Sequence, residues 1–228
     1  MKQASARVGF LASIGMAVFL LIAALLLMAA TPAAAQESRL TGRLAEPARG
    51  QVEALVAAAR AAGLPTEPLI DRALEGAAKG AAPNLIVTAV TRLRDELTTV
   101  RGAFGVAAAP AELIAGASAL RAGASAEDLA QLRSLRPEEP LTVAAAVLAD
   151  LVAAGVPADT AVGAVLAIAP NAADADYVSF RRNVQRDIAL GASPAAALGV
   201  RLRGLGELTA SPADGGTTTG SGRKRQKP

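Results

Sequence analysis

The sequence predicts an all-α protein built of antiparallel helical hairpins, and three observations predict it. Apolar residues recur at helical spacing through most of the chain. Glycine and proline interrupt those periods at short intervals, and no stretch alternates as a strand would. The sequence around these helices adds two further segments, an apolar leader in front and a polar, basic tail behind.

The first period is clear in Val52, Leu55, Val56 and Ala59, which follow i, i+3, i+4, i+7, and the pattern recurs in Leu85, Ile86, Val90, Leu93 and Leu97. Punctuation then divides the chain into helices expected over 46–62, 66–79, 84–101, 110–122, 126–135, 139–154, 158–169, 173–190 and 194–205. Short connections between them make neighbours antiparallel. One junction recurs as Gly63-Leu64-Pro65, Gly123-Ala124-Ser125, Gly155-Val156-Pro157 and Gly191-Ala192-Ser193. Glycine there suits the left-handed position that ends a helix, the next residue supplies the apolar contact of that cap, and Pro or Ser opens the next helix. Ser125-Ala126-Glu127-Asp128 has the form of a capping box with Asp128 in place of Glu. The junctions suggest a degenerate α-solenoid-like repeat with one member altered near Gly102 to Gly105; the alternative is that Gly-x-Pro/Ser is simply how short helix turns are made. The period approaches that of tetratricopeptide arrays without their aromatic consensus, so it assigns no family. Leu141 to Ala169 is almost wholly apolar, in two helices each too short to span a bilayer, and is expected as the buried central hairpin.

Residues 1–35 read as a signal peptide. Lys2 and Arg7 form a positive start, Val8 to Ala30 is apolar or neutral, and Ala33-Ala34-Ala35 gives small residues ahead of Gln36. Because the run at 8–30 could also cross about 30 Å of hydrocarbon, an uncleaved membrane anchor is the alternative. Either way the body is expected to be exported, periplasmic or extracellular. Residues 36–45 are expected as a linker, 46–209 as one helical domain, and 210–228 as a disordered basic tail with nothing to bury.

Composition removes most familiar chemistry. The chain has no Cys and no His, which excludes disulfides, lipid attachment through a thiol, the usual zinc and copper sites, and Ser-His-Asp or Cys-His catalysis. No metal site or cofactor is expected. Asn171, Asp174 and Asp176 crowd one turn but read as helix-start acids rather than calcium ligands, since their spacing is not that of an EF-hand. Glu138-Glu139 reads the same way, as first-turn acids rather than a catalytic pair. Ser221-Gly222-Arg223-Lys224 matches S-x-x-K by chance, because a disordered tail cannot hold a nucleophile against its base.

Charge is distributed unevenly. Residues 36–180 hold 12 basic and 17 acidic side chains, whereas 181–228 hold 9 basic and 3 acidic. Arg181, Arg182 and Arg186 share one expected helix, Arg201 and Arg203 the next, and Arg223, Lys224, Arg225 and Lys227 the tail. The plain reading is a solvated face and a solubilising tail. The sharper one is a docking surface for an anionic envelope surface or an acidic protein, with nucleic acid disfavoured because no aromatic platform accompanies the arginines. The functional expectation is a non-enzymatic interaction or scaffold protein of the cell envelope. Its alternatives are an exported glycan hydrolase with paired carboxylates and a lipid-binding helical bundle.

Overall fold

Nine helices follow one another along residues 39–210, the span that the computed structural model describes, with side chains as far as residue 204. They are α1 (Ala48–Ala61), α2 (Glu67–Ala78), α3 (Pro83–Phe104), α4 (Pro110–Ala122), α5 (Ala126–Leu135), α6 (Thr142–Ala153), α7 (Ala158–Ile168), α8 (Asp174–Ala189) and α9 (Pro194–Ala210). No strand occurs among the described residues. The expected leader (1–35) lies outside them, as does the expected tail except Ala210, which closes α9.

Each expected helix is present, and three of their ends move by three residues or more. α3 continues to Phe104 and α9 to Ala210. α6 starts at Thr142 rather than 139, so Glu138 and Glu139 are not first-turn acids; they lie exposed in the preceding loop. Pro140 disfavours helical backbone at Glu139, which delays the start. Arg133 closes that loop by donating to the carbonyl oxygens of Arg136, Pro137 and Glu139 at 3.2, 3.4 and 3.1 Å.

The chain divides into two compact units with the boundary between Ala117 and Ser118, inside α4. In the first, α1 and α2 pack on the long α3. The core is Val52 and Val56 of α1, Leu69 and Ile70 of α2, and Val90, Leu97 and Val100 of α3. Leu40 and Leu44 are buried with them, and Arg39 bonds Glu67 at 2.6 Å and Asp71 at 2.9 Å. Within the segment expected as a linker, Leu40 and Leu44 are thus buried and Arg39 is paired to α2. Two helical glycines permit close approach: a Cβ on Gly76 would sit 2.9 Å from Ile86 Cγ1, and one on Gly116 would sit 2.5 Å from Val100 Cγ1 and 3.0 Å from Phe104.

In the second unit the α6–α7 hairpin is central, as its composition predicts. Leu141, Ala144, Leu148, Leu151, Ala161 and Val165 are buried, α8 packs on α6, and α5 and α9 pack on α7. No described helix is long and apolar enough to cross a membrane.

The turn between α6 and α7 shows how the junctions work. Gly155 has φ +92°, its N–H donates to Val152 O at 2.9 Å, and the N–H of Val156 reaches back to Leu151 O at 3.1 Å. This is the Schellman arrangement, and Val156, only 2 % exposed, makes its apolar contact. Gly63, Gly80, Gly123 and Gly191 carry the same pair of bonds, whereas Gly105 carries a single bond to Arg101 O. At the second helix start of interest, the Ser125 hydroxyl accepts from Asp128 N–H at 3.0 Å while Asp128 accepts from Ser125 N–H at 2.8 Å, completing the capping box.

The turns of the second unit also rest on one another. A Cβ at Gly123 would meet the Cβ of Ala158, the first residue of α7, at 3.0 Å; one at Gly155 would meet Cγ of Pro194, the first residue of α9, at 3.3 Å.

Candidate functional site

The arginines of α8 and α9 were the expected anion-binding set, and their positions follow from how those helices are built. α8 starts where the N–H of Ala173 donates to Asp176 at 2.8 Å, so Asp176 serves the helix start as expected. Its buried side, Tyr177, Phe180 and Val184, faces the core. That leaves Arg181 at the edge toward α6, where it forms an ion pair with Asp150. At the other edge Asp187 receives Arg201 of α9 through Nε at 2.6 Å and a terminal nitrogen at 2.7 Å. Bidentate contact with Arg201 holds the Asp187 carboxyl below the usual aspartate range, with a smaller effect from Arg186, and the carboxylate in turn raises Arg201.

The structure therefore sorts the set. Arg181 and Arg201 are engaged between helices. Arg182, Arg186 and Arg203 are exposed, and none makes an ion pair or hydrogen bond among the described residues. Arg182 and Arg186 stand one helical turn apart on the same side of α8. Two exposed apolar side chains lie on the same two segments, Leu190 (81 %) just after α8 and Val200 (53 %) in α9. Arg223, Lys224, Arg225 and Lys227 lie outside the described residues.

A second arginine cluster escaped the sequence reading. Arg136, only 4 % exposed, follows α5, and its guanidinium donates to the carbonyl of Ala172 and contacts Asp174 at 3.4 Å. It also lies 5.3 Å from the ring centroid of Tyr177, whose hydroxyl is 3.4 Å from Val165 O. Burial pushes the Tyr177 phenol up, and the neighbouring cation opposes that shift. Arg136 Nε has no partner. The cluster latches the end of α5 to the α7–α8 loop. Its only trace in the sequence is that an arginine stands before Pro137 where the helical period stops. Asp174 and Asp176 are thus committed to an ion pair and a cap, and no group of acids that could hold a metal occurs among the described residues.

In the first unit a shallow groove of about 390 Å³ runs between α1 and α3, lined by Ala54, Leu55 and Ala58 on one side and Val87, Thr91 and Arg94 on the other, with Gln51 at one end. Arg94 bonds Asp95 at 2.6 Å. The lining brings no carboxylate, so this groove cannot carry the two-acid chemistry of a glycan hydrolase.

Searches against protein-family models, curated proteins and solved structures found no match for the chain.

Proposed function

We propose that the chain is an exported, non-enzymatic interaction module of the cell envelope, organised as a degenerate α-solenoid-like repeat. The observation that carries this reading is the stacking of turns in the second unit: Gly123 abuts the start of α7, and Gly155 abuts the start of α9. The cap glycines 123, 155 and 191 are spaced by 32 and 36 residues, and α8 packs on α6 as α9 and α5 pack on α7. Such stacking is how a hairpin array propagates, each hairpin burying one face on its neighbour and leaving the others for partners. The commitment of acids to structure supports the non-enzymatic part, since Glu67, Asp71, Asp150 and Asp187 each sit on an arginine. The leader composition supports export.

The test combines export with contact. N-terminal sequencing of envelope material is expected to begin at Gln36. A photo-reactive amino acid placed at Arg182, Leu190 or Val200 in cells is expected to give discrete adducts, while the same probe at Glu127 gives fewer. A chain that stays in the cytoplasm, or adducts equally sparse at every position, would remove the reading.

A further inference from the structure

The first described residues of the chain are held more firmly than their composition suggests. Leu40 is 1 % exposed and Leu44 8 %, and the N–H groups of Arg43 and Leu44 both donate to Leu40 O, at 3.1 and 3.2 Å. Ahead of that turn, Arg39 spans one turn of α2, with Nη1 2.6 Å from Glu67 and Nη2 2.9 Å from Asp71. The bond at which the leader is expected to be removed, Ala35–Gln36, has only three residues between it and Arg39. Three residues reach at most about 11 Å. That is less than the radius of gyration, about 12 Å, of a compact unit the size of residues 39–117. With residues 39–44 docked, the bond cannot be carried clear of the folded unit.

We propose that Arg39–Leu44 is a strap whose docking withdraws the Ala35–Gln36 bond from the membrane-embedded peptidase that removes the leader, so that removal comes before the strap closes. Such a peptidase takes extended chain with small residues ahead of the cut, and an apolar run at 8–30 keeps that cut at the bilayer surface. An undocked strap adds six residues, or about 20 Å of extended chain, between the bond and the folded body. Early closure leaves the chain anchored through residues 8–30. The order of the two events therefore chooses between a free body and a membrane-held one. The proposal rests on the export reading and adds to it the step at which that choice is made.

Cleavage of the full-length precursor in detergent micelles by a solubilised signal peptidase tests it, comparing chain folded beforehand with chain diluted from urea into the enzyme. The folded precursor should be cut about a hundredfold more slowly, at about tenfold for each buried leucine, because cleavage then tracks the population of the open strap. About twelve Gly and Ser residues inserted between Ser38 and Arg39 should return the folded chain to the rate of the unfolded one, with circular dichroism unchanged. Leu40→Ser should speed cleavage of the folded precursor about tenfold. If that variant does not fold, the insertion, which alters no docked residue, decides the matter. Equal rates for folded and unfolded chain, or an insertion that changes nothing, overturn the strap. A precursor left uncut between Ala35 and Gln36 even when unfolded removes the leader reading, and the proposal with it.

Discussion

The two units place glycine differently. In residues 39–117 the tightest approaches lie between helix flanks, at Gly76 against Ile86 and Gly116 against Val100; in residues 118–204 they lie between a turn and the start of a later helix, at Gly123 and Gly155. A glycine inside a helix costs up to about 1 kcal/mol against alanine, so the first unit accepts that penalty to bring backbones together. A glycine at a Schellman turn is required anyway by the positive φ, so the second unit gains its close contacts where the backbone had already excluded a side chain. Alanine-rich helices bury little area per residue, and both devices shorten the distance across which that area must pack.

Gly116→Val is the strongest way to break the comparison. Its new side chain would begin 2.5 Å from Val100 Cγ1, and such overpacking should lower stability by about 3 kcal/mol in chemical denaturation. Adding Val100→Ala should recover part of the loss if the cause is steric. Gly155→Val comes next, at about 2 kcal/mol, because it combines left-handed strain with pressure on Pro194. An unchanged unfolding midpoint would show that the turn tolerates a side chain. Gly102→Ala in α3 and Gly163→Ala in α7 should act oppositely and stabilise each unit by about 0.5–1 kcal/mol, since a Cβ at either position meets nothing within 4 Å. A loss at both would mean that the cost lies in glycine replacement itself, not in the contacts.

The smallest effect should appear at Tyr177, the only tyrosine in a chain without tryptophan, so its ultraviolet titration reads one group. Burial raises its folded-state pKa. The associated stability is complete below the ordinary phenol range and is lost as pH rises through the raised value. Arg136→Met should move the titration still higher, because a cation that favours the phenolate is gone; a downward move would contradict the 5.3 Å contact.

What the sequence revealed divides by distance along the chain. The Ser125–Asp128 box and the caps at Gly63, Gly123, Gly155 and Gly191 were legible because each is completed within about six residues. Gly80 makes the same cap but was not grouped with them, because its proline, Pro83, follows three residues later instead of two; the cap needs only the glycine and its back-bonds. Leu40 and Leu44 looked like linker because Arg39, Thr41, Gly42 and Arg43 surround them and no period is long enough to register. The sorting of the arginines was not legible at all. Asp150 and Ala172 lie 31 and 36 residues from Arg181 and Arg136, and only tertiary packing brings them together. The candidate site is accordingly smaller than the charge count suggested, with three exposed arginines in the described part.

Helix α9 is held by the Gly191 turn, the Pro194 contact, Ala197, Leu198 and the Arg201–Asp187 bridge. It packs mainly on α8 and α7, whereas the α6–α7 hairpin is central to its unit, so its amides should exchange with deuterium ahead of those of α6 and α7. Because Asp187 is held below the ordinary aspartate range, the bridge is complete above that range and disappears as pH falls below it. Acid should therefore speed exchange in α9 relative to the α6–α7 hairpin, after correction for intrinsic rates, and Asp187→Asn should reproduce that relative change at neutral pH. Helix α9 would then detach as a single segment while the α6–α7 hairpin stayed closed.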